Sequence, residues 1–94
     1  MMLTLDELKN IVGVYSDEVY GPDRTYAAPL EKLHEEIQEC MQGGEIEEYA
    51  DCLLCLLDSF RKRYPHQSTS FLLISAEHKL QVLRTKAARK IKQA

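Results

Sequence analysis

Apolar residues along the chain recur at the spacing of helix faces, and no segment shows the alternation that is typical of a strand. Four such segments are separated by short stretches that contain glycine, proline or serine. Thr4 and Glu7 form a capping box at the start of the first segment. Because the connections are short, neighbouring helices should be antiparallel. The pattern predicts an all-α antiparallel four-helix bundle, with helices over about residues 4–20, 27–41, 45–63 and 69–92.

Three of the predicted helices carry one apolar stripe each, which we expect to face other helices. The third helix differs, because it is apolar on nearly every side between Ala50 and Leu57, apart from Asp51. The rest of so small a chain leaves one side of this helix uncovered, so we expect that side to meet a second subunit. The predicted stripes are Leu5, Leu8, Val12, Tyr15 and Val19; Leu30, Leu33, Ile37 and Met41; and Leu73, Ala76, Leu80, Leu83, Ala87 and Ile91.

Length and charge narrow the class of protein. Ninety-four residues indicate one domain, over residues 1–94, with a thin core that a partner copy would help to cover. The formal net charge of −3 disfavours a nucleic-acid partner, which requires a basic surface. The six basic residues from residue 78 onward, with no acid among them, are better explained as a solvated helix end.

The cysteines and the apolar runs indicate a cytoplasmic setting. Cys40, Cys52 and Cys55 are an odd number in apolar surroundings, which favours core thiols under reducing conditions. A zinc site is disfavoured, because the sequence offers neither a second C-x-x-C nor a suitably spaced histidine pair. The longest apolar run, residues 52–57, is too short to span a membrane, and the first residues lack the layout of a signal peptide.

Acidic residues are concentrated on either side of one turn. Residues 31–51 hold eight acids and one Lys or Arg. Glu36 and Glu39 are three apart on the second predicted helix, and Glu48 and Asp51 are three apart on the third, so each pair shares a face. Asp58 follows Asp51 by two turns on the same face. Converging carboxylates repel unless a cation joins them, and Mg²⁺ prefers such oxygen ligands.

An ordinary solvated face is the alternative for these acids, since E-x-x-E occurs often by chance. Two features speak against it. Asp51 and Asp58 interrupt an otherwise apolar helix, where an unpaired charge is costly. The two pairs also lie on both sides of the tight Gly43-Gly44 turn.

The stretch LEKLHEEIQECMQGGEIEEYADCLLCLLD resembles the metal-binding core of the MazG-like, all-α nucleotide pyrophosphohydrolases, in particular their short phage and bacterial members. That family is marked by E-x-x-E followed by E-x-x-D on two antiparallel helices. The resemblance covers roughly residues 15–64, with a looser C-terminal helix. The connection between the pairs is shorter than in many family members.

The resemblance implies an oligomeric enzyme, a homodimer or homotetramer, that hydrolyses a (deoxy)nucleoside triphosphate to the monophosphate and pyrophosphate. A metal-activated water would attack the α-phosphate, with Mg²⁺, or alternatively Mn²⁺, as cofactor. The second hypothesis is a non-catalytic helical oligomerisation or interaction module with a degenerate site. The implied ligands are Glu36, Glu39, Glu48 and Asp51, Asp58 would assist them, and Lys79 and Arg84 would contact substrate phosphates or simply lie on a solvated helix face.

Overall fold

The computed structural model of the protein describes residues 2–93, so both ends of the predicted 1–94 domain lie outside the described residues. These residues form four helices and no strand, which confirms the all-α prediction. The boundaries agree with the predicted ones to within one residue. The helices are α1 (Leu5–Tyr20), α2 (Ala27–Met41), α3 (Ile46–Arg63) and α4 (Thr69–Gln93).

The first helix begins and ends where its local sequence requires. The Oγ1 atom of Thr4 accepts from the backbone N–H of Glu7 at 3.1 Å, and Glu7 Oε1 accepts from the Thr4 N–H at 2.9 Å. These two bonds satisfy donors that a helix N-terminus would otherwise leave free. At the other end, Gly21 has a φ of 90°, which L side chains rarely adopt, and the helix stops there.

The packed part of the molecule consists of α1, α2 and α3. Helix α3 lies between the other two, and the α2–α3 pair is the most closely packed. Ion pairs and hydrogen bonds show that α1 runs antiparallel to the chain from α3 into α4, because Asp17 meets Arg61 while Asp6 meets Thr69. Among the large apolar side chains of the described residues, only Leu57 is buried completely. The core of the single chain is therefore thin, as its length predicts.

The packing face of α2 differs from the predicted stripe by about one residue. Leu30, Ile37 and Met41 are exposed, with 75% of the Met41 surface accessible. The residues that face the neighbouring helices are Pro29 and Glu36, which are buried, together with Leu33 and Cys40, which are half-buried. A shift of one position turns a helix face by about 100°. Because of this rotation the Glu36 side chain is buried between the helices, whereas the predicted stripe placed Ile37 there.

In the single chain, α3 is not buried on all sides. Its buried residues are Leu57, Asp58 and Ser59, near its C-terminal end. Leu53 and Leu56 keep 41% and 43% of their surface exposed, and Ala50 is exposed as well. One side of this apolar helix is therefore not covered by the rest of the described chain.

Helix α4 contacts only α1 among the described helices, and it does so near its own start. The Asp6 carboxylate accepts from the Thr69 backbone N–H at 2.8 Å, and Lys9 Nζ donates to the Gln67 carbonyl at 3.0 Å. Beyond this joint the helix extends away, and the molecule measures 53 × 34 × 31 Å. Its predicted stripe does not face another helix of the same chain, since Leu73, Ala76, Leu80, Leu83, Ala87 and Ile91 are all exposed.

None of the four described helices has both the length and the apolar composition that crossing a membrane would require.

Candidate functional site

A tight turn joins α2 to α3 and brings their acidic ends together. Gly43 has a φ of 88°, a conformation that favours glycine. Gly44 is required for a different reason, because a Cβ atom there would lie 2.9 Å from the Cys40 Cα and 3.2 Å from the Glu48 Cβ. The lack of a side chain at Gly44 thus lets the first turn of α3 approach the last turn of α2.

Glu36 is the most buried member of the predicted ligand set, with 6% of its surface exposed. Its Oε1 atom is 3.2 Å from Lys32 Nζ, one turn earlier on α2. Its Oε2 atom is buried and has no hydrogen-bond partner among the described residues. A buried carboxylate oxygen without a donor or cation is costly, so this oxygen is a natural point for a ligand to bind.

Glu39 and Glu48 extend this acidic region across both helices. Repulsion from the Glu36 carboxylate raises the pKa of Glu39, and burial and the Glu48 charge act in the same direction. Glu48 is half-buried, and its Oε2 atom also lies buried without a hydrogen-bond partner in the described part of the chain. Three of the four predicted ligands therefore lie close enough to repel one another.

Asp51, the fourth predicted ligand, is exposed and lies beside a cavity of about 420 Å³ between α1, α2 and α3. Glu36 and Asp58 share this cavity with it, so α2 and α3 both present acids to one space. Aromatic, apolar and basic side chains complete the lining. The lining residues outside the predicted set are Val12, Tyr15, Ser16, Tyr20, Arg24, Pro29, Lys32, Leu54 and Cys55.

Asp58 is engaged by arginines. Arg61 Nε donates to its Oδ1 atom at 2.7 Å, and Arg24 Nη2 lies 3.9 Å from Oδ2. Arg61 also donates to Asp17 at 2.9 Å, which lowers the pKa of the Asp17 carboxyl. Asp58 therefore holds Arg61, which joins α3 to Asp17 of α1, and it lies beside Arg24 at the edge of the cavity.

Two basic residues at the cavity were not predicted, Lys32 and Arg24. Lys32 precedes Glu36 by four residues, and that helical spacing was a signal available in the sequence. Arg24 gave no such signal, because it lies in the α1–α2 loop. Its Nη2 atom donates to Ser16 Oγ at 2.7 Å, its guanidinium lies 4.6 Å from the Tyr20 ring centre, and its buried Nε has no partner among the described residues.

Lys79 and Arg84, the predicted phosphate contacts, are exposed on α4 and do not line the cavity. Within one chain, α4 reaches only α1. Lys79 and Arg84 therefore do not reach the acidic site of their own chain.

The acids are close but are not arranged as a finished metal site. Over residues 2–93, no three His, Cys, Asp or Glu side chains are positioned to hold a metal ion together. What the structure does bring together is Glu36, Glu39 and Glu48, with Asp51 beside the cavity that Glu36 also lines.

The three cysteines are free thiols and half-buried. Cys40 and Cys52 face each other across the α2–α3 pair, with 3.8 Å between their sulfur atoms. Burial raises the pKa of the Cys55 thiol to about 11, and negative charge on Glu36 adds to the effect.

Comparisons of the chain with protein-family models, with curated proteins and with solved structures find no match.

Proposed function

We propose that the chain is a Mg²⁺-dependent hydrolase of the MazG-like type, which cleaves a (deoxy)nucleoside triphosphate to the monophosphate and pyrophosphate. The observation that carries the proposal is the pair of buried carboxylate oxygens, Glu36 Oε2 and Glu48 Oε2, which lack partners in the described chain and come from facing helices. Together with the raised pKa of Glu39, they mark a place where a cation would relieve both repulsion and lost solvation.

The four acids fit a hard divalent cation, because their donor atoms are all carboxylate oxygens. Glu36, Glu39, Glu48 and Asp51 would hold Mg²⁺, or Mn²⁺ in its place. Binding would draw these side chains closer than they stand in the free chain, since no ready set of three ligands exists among the described residues. Once bound, the ion would supply charge stabilisation and a coordinated water of lowered pKa.

The basic residues of the cavity suit the triphosphate. Attack at the α-phosphorus breaks the bond to the pyrophosphate group, on which negative charge then accumulates. Arg24 and Lys32 line the cavity and would bind that group as charge develops. Tyr15 and Tyr20 also line the cavity, and their rings would suit a nucleobase.

Asp58 was expected to assist the metal or the water. Its carboxylate accepts from Arg61 and lies near Arg24, so orientation of Arg24 beside the cavity is the role that these contacts favour. Direct assistance to the metal stays a prediction for this residue.

The oligomeric state is part of the same proposal. Helix α4 exposes its apolar stripe, and α3 exposes Leu53 and Leu56. A homodimer or homotetramer would bury these surfaces. Assembly is also the route by which Lys79 and Arg84 would reach a site, since α4 does not approach the cavity of its own chain.

The proposal is tested by incubating the purified chain with a panel of ribo- and deoxynucleoside triphosphates and Mg²⁺, followed by product analysis. We expect one or a few substrates to yield the monophosphate and pyrophosphate. Glu48→Gln and Asp51→Asn should abolish turnover. Glu47→Gln is the matched control, because Glu47 is an exposed acid adjacent to Glu48, and this variant should retain activity.

The non-catalytic interaction module is the second candidate, and the long exposed stripe of α4 favours it. It would replace the hydrolase if the whole panel, with Mg²⁺ and with Mn²⁺, gave no turnover while the chain still assembled in solution.

A further inference from the structure

We infer that Cys40 and Cys52 form a redox modification site, at which small disulfide oxidants convert the two thiols into a reversible bond between α2 and α3. The two Sγ atoms are 3.8 Å apart, on the two helices that pack most closely. A disulfide requires about 2.05 Å between the sulfur atoms, so an approach of a little under 2 Å is needed. Rotation of the two cysteine side chains is the movement that would bring the sulfur atoms together.

Both ends of the pair are held in place by the fold. Gly44 approaches so closely that a Cβ atom there would lie 2.9 Å from the Cys40 Cα, which fixes the last turn of α2 against the hairpin. Cys52 lies in the second turn of α3. The two sulfur atoms therefore face each other because the two helices of the hairpin pack together, and no loop has to move to bring them there.

The environment also distinguishes this pair from the third cysteine. Cys40 and Cys52 are only half-buried, so a small oxidant can reach them. Cys55 is half-buried as well, but its sulfur has no thiol contact among the described residues. The sequence assigned all three cysteines to the core, and the structure separates a facing pair from a single thiol.

The chemistry balances with a low-molecular-weight disulfide, RSSR, as the oxidant. One cysteine loses its proton and its thiolate attacks RSSR, which gives a mixed disulfide and releases one RS⁻. The second cysteine loses its proton and attacks the protein sulfur of the mixed disulfide, which forms the Cys40–Cys52 bond and releases the second RS⁻. In sum, two protein thiols and RSSR give one protein disulfide and two RSH.

The bond would close a loop that contains the whole α2–α3 turn. Such a link stabilises the folded chain by restricting its unfolded state. It also lies beside the acidic site, because Cys40 directly follows Glu39 and Cys52 directly follows Asp51. The bond would form whether or not the chain is a hydrolase, so the two proposals are tested separately.

The test is incubation of the full chain with oxidised glutathione, followed by alkylation of the remaining thiols and peptide mapping. We expect one intramolecular Cys40–Cys52 disulfide, with Cys55 alkylated. The Tm should rise by about 5 °C or more and return to its starting value when dithiothreitol is added. Cys55→Ser should keep the bond and the shift, whereas Cys40→Ser and Cys52→Ser should lose both.

Peptide mapping of the chain without substitutions shows which cysteines are bonded, even if a serine variant folds poorly. Alkylated Cys40 and Cys52, a lasting mixed disulfide at either residue, a Cys52–Cys55 bond or a bond between two chains would each overturn the inference. A Cys40–Cys52 bond that leaves the Tm unchanged would also overturn it, because the link would then not hold the hairpin.

Discussion

Replacing Glu36 with glutamine separates a structural role of this residue from a metal-binding one. The change keeps the size of the side chain and removes its charge. Two opposing effects follow in the metal-free protein. The ion pair with Lys32 is lost, but the Lys32 side chain is 56% exposed, so solvent screens this pair and its contribution to stability is small. At the same time the unpaired, buried carboxylate oxygen is replaced by part of a neutral amide, which can donate to a neighbouring acid, and a buried group left without a partner costs about 1–3 kcal/mol.

The second effect is larger, so Glu36→Gln should raise the free energy of unfolding of the metal-free protein by about 1 kcal/mol. For a domain of this size, this corresponds to an increase in Tm of about 4–8 °C. The variant also removes the charge of Glu36, which is the largest of the causes that raise the pKa of Glu39. The measurement is urea or thermal unfolding in the presence of a chelator.

Adding Mg²⁺ should reverse the order of the two proteins. A ligand present at about 100 times its Kd stabilises the protein that binds it by about 2.7 kcal/mol. The original chain should show such a gain, and Glu36→Gln should show little of it. Glu35→Gln is the matched control, because Glu35 also pairs with Lys32, at 3.5 Å, but its side chain is 71% exposed. That variant should change the free energy of unfolding by less than about 0.5 kcal/mol under either condition.

The reasoning fails if Glu36→Gln destabilises the metal-free protein by more than about 1 kcal/mol, because Glu36 would then be a structural partner of Lys32. It also fails if Mg²⁺ stabilises Glu36→Gln as much as it stabilises the original chain.

Two further predictions concern pH and assembly. The hydrogen bond from Arg61 lowers the pKa of Asp17 below its usual 3.8. The stabilising effect of this carboxylate is therefore present above pH 3.8 and is lost as the pH falls through the folded-state pKa. Asp17→Asn should flatten this part of the stability–pH curve, and an unchanged acid slope in thermal unfolding would contradict the assignment. Leu80→Asp places a charge in the exposed apolar stripe of α4 and should shift the chain towards the monomer, measured by light scattering. Gln81→Asp, at a neighbouring exposed position, should not change the measured mass. Equal masses for the two variants would mean that the stripe is not an interface.

The helices were predictable from the sequence because their ends are encoded locally. The capping box of Thr4 and Glu7 and the glycines at positions 21, 43 and 44 act within a few residues of the chain. The predicted boundaries therefore agree with the observed ones to within one residue. The all-α fold follows from the same short-range rules.

The packing face of α2 was not predictable in the same way. Apolar residues at 30, 33, 37 and 41 suggested a stripe, whereas the structure buries positions 29 and 36 and half-buries 33 and 40. A glutamate counts as polar in any hydrophobic pattern even when it is buried. The face that the pattern predicts is therefore rotated away from the face that packs in the structure. Glu36, the buried acid of the candidate site, is therefore the residue at which the predicted and observed faces differ most.

The site itself was predictable only in part. Glu36, Glu39 and Glu48 converge because they lie near one turn, which spacing along the sequence can indicate. Arg24 reaches the cavity from the α1–α2 loop, and Lys79 and Arg84 stay away from it because α4 extends outward. Those outcomes depend on how the helices are placed in space, and no local rule specifies that.

The position of α4 has a consequence for how the chain exchanges its amide hydrogens. Most of the stability of a helix in a protein comes from tertiary packing, and α4 is joined to the rest of the described chain near its first turn alone. The amides of α1 to α3 should therefore exchange together, with the protection of the packed unit, while most of α4 opens on its own. Protection of α4 would then depend on protein concentration, and its helicity would report how much of the chain is assembled.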